Sequence, residues 1–101
     1  MSRYDGKPFL RLLDCYVLKA IGSLDAQQND ALVAMEPKLS QVYGSTSGWD
    51  GIVAEQMDFP DTLPAEIARI WEAGKLKAAD LGMTPDPNEF TAQFVDTNFP
   101  T

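Results

Sequence analysis

Apolar side chains recur every three to four residues along most of this chain, the spacing that an amphipathic α-helix requires. The first such segment is predicted to run from Pro8 to Ile21, because proline suits a first helical position and Gly22 suits a C-terminal stop. Its apolar positions nearly encircle the helix, so we expect it to lie at the centre of the fold. They are Phe9, Leu10, Leu12, Leu13, Tyr16, Val17, Leu18, Ala20 and Ile21.

A second helical segment is predicted over Ala26–Tyr43. Asp25 is its expected N-cap, with Gln28 as the capping-box partner. Pro37 interrupts the segment, because proline removes a backbone donor and crowds the preceding turn. The helix therefore either kinks or breaks there. We favour two short helices that meet at a shallow bend, with Pro37 starting the second.

A third and shorter helix is predicted over Gly48–Met57. Ser47 is its expected cap, and Asp50 occupies the capping-box position. The segment before it, Gly44–Gly48, is a loop by composition. It lacks the lysine and the spacing of a phosphate-binding loop, so we do not assign it that role.

The fourth and fifth helices carry clear start and stop signals. Pro64 opens the fourth helix and Gly82 ends it, whereas the run 86–89 opens the fifth with a cap, a proline and an acidic residue. Gly74 lies inside the fourth helix at a cost of about 1 kcal/mol relative to alanine. We interpret it as admitting a close helix crossing beside Trp71. The apolar positions of the two helices are Leu63, Ile67, Ile70, Trp71, Ala78 and Leu81, followed by Phe90, Phe94, Val95 and Phe99.

These segments predict an all-α fold of about five helices in an irregular or orthogonal bundle. A chain of 101 residues buries about 65% of its unfolded surface, which is enough for one core. The short connections at 22–25 and 82–86 leave little slack between helices. We therefore expect residues 1–101 to form one domain.

The charge is unevenly distributed. The formal net charge is −7, with −1 in residues 1–50 and −6 in residues 51–101. A chain this acidic is not expected to bind nucleic acid or anionic membranes, both of which attract clustered lysine and arginine. Much of the acidity in the second half fits helix capping and i,i+3 pairing. What remains is a local cluster formed by Glu55, Asp58 and Asp61.

The residue types needed for catalysis are scarce. The sequence contains no histidine and a single cysteine, Cys15, which lies inside a predicted helix without a base. We interpret Cys15 as a buried or half-buried structural thiol and expect neither an enzyme nor a bound cofactor. The acidic cluster is interpreted as a solvated helix end rather than a metal site. With no apolar run of membrane-spanning length and no leader-like start, we expect a cytoplasmic protein.

One segment combines large apolar and acidic residues, the composition typical of an interface centre. We predict that it binds a partner protein, as an immunity protein, antitoxin or adaptor does, and its acidic residues favour a basic partner. The alternative is that its aromatic residues pack in the core while its acids face water. The predicted partner-binding residues are Trp49, Glu55, Met57, Asp58, Phe59 and Asp61.

A second hypothesis is a regulatory domain that binds a small molecule or metal. Its pocket would lie between helices and would be lined by Tyr16, Trp71 and Phe94. The apolar faces of the first and fourth helices are wide, so a homodimer that shares part of this surface is a further alternative.

Overall fold

A computed structural model describes residues 8–99 of the chain. The predicted domain also includes residues 1–7 and 100–101, which lie outside the described residues. Within residues 8–99 there are five helices and no strands, which confirms the predicted all-α class. The helices form one compact domain and are α1 (Pro8–Ala20), α2 (Ala26–Tyr43), α3 (Trp49–Met57), α4 (Leu63–Asp80) and α5 (Pro87–Asn98).

The first helix lies at the centre of the bundle, as its pattern predicted. It packs against α3, α4 and α5. From Leu10 to Leu18 every side chain except that of Arg11 is buried, and Val17 is fully enclosed. Cys15 is buried too, as expected. Burial, followed by the charge of Asp14, raises the pKa of its thiol, whereas the charge of Arg11 opposes that rise.

The second helix runs without interruption from Ala26 to Tyr43, so the predicted break at Pro37 is wrong. Proline deprives the helix of one backbone hydrogen bond. Leu32 and Leu39 lie on either side of it and are both buried in the core. We attribute the continuity of α2 to this packing, which holds both halves of the helix against the same surface. The predicted cap is confirmed, because the Asp25 carboxylate accepts a hydrogen bond from the Gln27 backbone N–H at 3.1 Å.

The third helix begins differently from the prediction. Gly48 is its N-cap and makes no side-chain capping bond, so the predicted Ser47 cap is wrong. The Ser47 hydroxyl instead donates to Glu55 Oε1 at 2.7 Å. The backbone N–H of Trp49, at the start of the helix, donates to Glu36 Oε2 of α2 at 2.8 Å. A carboxylate from the neighbouring helix therefore does what a local cap would otherwise do.

The fourth and fifth helices are joined by a tight turn. Gly82 adopts a left-handed conformation, with φ of 71°, and the Met83 N–H donates back to the Ala78 carbonyl at 2.8 Å. The fifth helix then starts as predicted, because the Asp86 carboxylate accepts from the Asn88 backbone N–H at 2.9 Å. None of the helices described here is long and apolar enough to cross a membrane.

Gly74 does not lie at a close helix crossing, so that prediction is wrong. A Cβ atom built on Gly74 would meet nothing within 4 Å. The rings of Trp71 and Phe90 lie between α4 and α5, with their centroids 5.1 Å apart. Rings of this size hold the two helices apart, and Gly74 consequently faces an open groove.

Candidate binding cleft

A cleft of about 470 Å³ opens where α1, α3 and the start of α4 meet. Four alanines line it, and their side chains are too short to fill the space between helices that larger core residues hold apart. Most of its other lining residues are aromatic residues, prolines or glycine. The uncharged lining residues are Tyr16, Ala20, Gly51, Ala54, Phe59, Pro60, Pro64, Ala65 and Ala68.

Tyr16 forms an aromatic corner of the cleft. Its side chain is only 7% exposed, and its ring centroid lies 5.2 Å from that of Phe59. Burial, followed by the negative charges of Asp50 and Asp61, raises the pKa of the Tyr16 phenol above its ordinary value. The phenol therefore keeps its proton at neutral pH and remains both a hydrogen-bond donor and an acceptor.

An ion pair lies in the cleft wall. Lys19 Nζ lies 2.7 Å from Asp50 Oδ2, and the two side chains are about half exposed. Lys19 Nζ also lies 5.6 Å from the ring centroid of Trp49. Burial disfavours the charged form of Asp50, but the hydrogen bond and charge of Lys19, together with nearby backbone N–H groups, lower its pKa overall. The carboxylate is therefore ionised, and Lys19 neutralises it.

Asp61 brings a further negative charge to the cleft. It is exposed and lines the opening. Its charge contributes, after burial and Asp50, to the raised pKa of the Tyr16 phenol. Within residues 9–99 no cationic side chain pairs with Asp61. The charged groups that these residues contribute to the cleft thus leave one unneutralised carboxylate.

The predicted partner-binding residues do not form one surface. Trp49 is 2% exposed and belongs to the core, so the prediction that it contacts a partner is wrong. Burial follows from its position at the start of α3, the helix that packs between α1 and α2. Met57 and Phe59 are half-buried against the core. Of the six predicted residues only Phe59 and Asp61 line the cleft.

The three acids of the predicted cluster have separate environments. The hydroxyls of Ser45 and Ser47 donate hydrogen bonds to Glu55 and lower its pKa. Asp58 ends α3 in a left-handed conformation, with φ of 57°. Only Asp61 reaches the cleft. In the part of the chain that the structure describes, no three acidic, cysteine or histidine side chains are placed to hold a metal ion.

The predicted ligand pocket is not formed either. Tyr16 lines the cleft, Trp71 lines a groove between α4 and α5, and Phe94 lines a shallow depression along α5. These are three different concavities, because α1 fills the centre of the bundle and keeps the three side chains from sharing one cavity. The ion pair between Lys19 and Asp50 was not predicted from the sequence. The two are 31 residues apart, and no local pattern links them.

Comparison of the chain with protein-family models, with curated proteins and with solved structures finds no match.

Proposed function

We propose that this chain is a small non-enzymatic interaction domain that binds a basic segment of a partner protein in the cleft between α1, α3 and α4. One observation supports the proposal: the cleft combines an apolar wall with Asp61, a carboxylate that no cation among residues 9–99 neutralises. Lysine and arginine side chains have matching parts, an aliphatic stem and a terminal cation. A basic side chain of a partner is therefore the occupant that best satisfies both features.

The expected contacts follow from the lining residues. The aliphatic stem would lie against Ala54 and Ala65, and the cation would reach the Asp61 carboxylate. The Tyr16 hydroxyl can accept a hydrogen bond from an ammonium or guanidinium group. The Phe59 ring supplies an aromatic surface of the kind on which an arginine stacks.

The charge of the whole chain supports the same partner class. A net charge of −7 attracts a basic protein over a distance and raises its association rate. Glu55 and Asp58 are exposed and lie near Asp61 in the sequence. They would contribute to this long-range attraction without entering the cleft.

The proposal is tested by selecting peptides from a random display library against the folded protein. Selected peptides should be enriched in lysine or arginine next to an aliphatic residue. Asp61→Asn should weaken their binding about fivefold, the effect of losing roughly 1 kcal/mol at a partly exposed ion pair. Asp58→Asn is the matched control: it removes the same charge outside the cleft, and asparagine tolerates the left-handed conformation. If both variants lose the same peptide affinity, or if the selected peptides are not enriched in lysine or arginine, the cleft is not the binding site.

A second candidate function is the binding of a free organic cation in the same cleft. The volume of about 470 Å³ favours it, because small-molecule sites usually occupy about 300–1,000 Å³. Thermal-shift measurements with n-butylammonium and n-butylguanidinium would distinguish the two candidates. If these small cations stabilise the protein as strongly as a selected peptide does, the cation alone is the ligand. If only peptides stabilise it, contacts beyond one side chain are required.

A further inference from the structure

A second concavity, which shares no lining residue with the cleft, lies between the C-terminal half of α4 and the start of α5. It has a volume of about 230 Å³, and the paired rings of Trp71 and Phe90 form part of its wall. A shallower depression of about 220 Å³ follows α5 and shares Phe90 and Gln93 with it. The two concavities adjoin but are distinct, and we call the larger one the α4–α5 groove. Its lining residues are Trp71, Gly74, Ala78, Met83, Thr84, Pro85, Asp86, Glu89, Phe90 and Gln93.

Gly74 is the most informative residue of this groove. A glycine inside a helix costs about 1 kcal/mol relative to alanine. Two intramolecular reasons for such a glycine are a left-handed backbone and a close approach of another group. Neither applies within the described part of the chain: Gly74 has no positive φ, and its missing Cβ would meet nothing within 4 Å. The space beside Gly74 is instead open to a side chain from outside.

Exposed apolar side chains lie at the groove. Of the seven exposed large hydrophobic side chains among residues 9–99, one lines the groove and a second is in the adjoining turn. Met83, which lines the groove, is 63% exposed, and Leu81 in the adjoining turn is 66% exposed. A local concentration of exposed apolar side chains around a concavity is typical of a protein-binding surface.

Charge identifies the kind of partner. Both charged side chains among the described lining residues, Asp86 and Glu89, are acidic. Lys75, whose Nζ lies 5.8 Å from the Trp71 ring centroid, is paired with Glu72 at 2.8 Å and so leaves this acidic charge in place. A second copy of this chain would bring its own net charge of −7 to this acidic rim, and such like-charge contacts are unfavourable. An amphipathic segment with basic residues around its apolar anchors is complementary to both the rim and the groove.

We propose that the α4–α5 groove is a docking site, separate from the cleft, for an amphipathic basic segment of a partner protein. A large aliphatic side chain of that segment occupies the space beside Gly74 and contacts the rings of Trp71 and Phe90. A lysine or arginine next to it pairs with Glu89. This surface and the cleft involve different residues, so one can fail without the other.

The test is an NMR titration of the isotope-labelled protein with a synthetic helical peptide of leucine and lysine. The peptide carries leucines on one face at intervals of three and four residues. Two comparison peptides replace either every leucine with alanine or every lysine with glutamate. The leucine–lysine peptide should shift the signals of Ala78, Met83 and Phe90, and both comparison peptides should bind at least about tenfold more weakly.

Substitutions in the protein locate the binding. Gly74→Leu fills the groove from within and should weaken the peptide at least about tenfold, the effect of excluding one buried aliphatic anchor. Ala73→Leu is the matched control, because it adds a leucine at an exposed neighbouring position that does not line the groove. Asp61→Asn, in the cleft, should leave these groove shifts unchanged. Thermal unfolding of each variant verifies that it folds.

Four results would overturn the proposal. The first is that the groove signals fail to move with the leucine–lysine peptide. The second is that Gly74→Leu binds this peptide as tightly as Ala73→Leu does. The glutamate peptide binds as well as the lysine peptide, which removes the charge argument. Finally, the groove signals move with protein concentration alone while sedimentation reports a dimer, in which case the occupant is a second copy of the chain.

Discussion

Gly74→Ala should make the protein more stable, although most substitutions destabilise a fold. Alanine is favoured over glycine inside a helix by about 0.8–1 kcal/mol, in part because the unfolded chain loses freedom. The structure adds no penalty, since the new methyl group would meet nothing within 4 Å. For a chain of 101 residues, the unfolding entropy is about 0.2 kcal/mol/K, so Tm should rise by about 3–5 °C.

Gly51→Ala is the matched control for this prediction. Gly51 also lies in a helix, in the first turn of α3, where alanine is likewise favoured over glycine. Its Cβ would, however, lie 2.7 Å from the Cβ of Ser47. Relieving that overlap displaces the Ser47 hydroxyl from Glu55, and overpacking typically costs about 1–3 kcal/mol. The Gly51 variant should therefore gain nothing or lose stability.

Thermal and urea unfolding, followed by far-ultraviolet circular dichroism, measure both changes. The dependence of the unfolding free energy on urea should be the same in all three proteins, so that the midpoints report stability. A Gly74→Ala variant that is no more stable than the parent would refute the open groove. Equal stabilisation by both substitutions would refute the argument that available space decides the sign. If Gly74→Ala is more stable than the parent and also binds the leucine–lysine peptide more weakly, the glycine serves binding rather than folding.

Three further predictions concern charge and capping. Asp61→Asn should lower the pKa of the Tyr16 phenol, because that pKa is raised by burial and, to a smaller extent, by the charges of Asp50 and Asp61. NMR titration of a Tyr16 ring carbon measures this pKa. An unchanged pKa would contradict the placement of Asp61 beside Tyr16. Asp50→Asn should cost about 0.5–1 kcal/mol near neutral pH. Because folding lowers the pKa of Asp50, its contribution to the free energy of unfolding is present above the unfolded pKa of about 3.9 and is lost as the pH falls below that value. Parent and variant should therefore converge in stability on acidification. A stability difference that stays constant with pH would contradict this. Glu36→Ala should lower the free energy of unfolding by about 1 kcal/mol, because it removes the acceptor for the Trp49 N–H. Glu36→Gln retains an acceptor oxygen and should lose much less stability in urea unfolding. Equal losses of stability in the two variants would contradict the capping role.

Much of the helical architecture was predictable because its causes are local. The apolar period of α1 indicated both a helix and its central position, and Val17 is indeed fully buried. The caps Asp25 and Asp86 were predicted because each side chain bonds a backbone N–H two residues away. Where a local rule failed, a contact from elsewhere in the chain had replaced it. The Trp49 N–H is bonded to Glu36, 13 residues earlier, and packing on both sides of Pro37 keeps α2 continuous.

The candidate sites depended far more on the tertiary structure. The sequence indicated an acidic segment, but it could not show that Trp49 is buried while Asp61 faces a cleft. Tyr16, Lys19 and Asp50 come together with Asp61 only because α1, α3 and α4 pack around the same space. The sequence alone thus determined where the helices form, since periodicity and capping act within one or two turns. Which side chains share a surface was decided by packing between helices, because those contacts join residues that are distant in the chain.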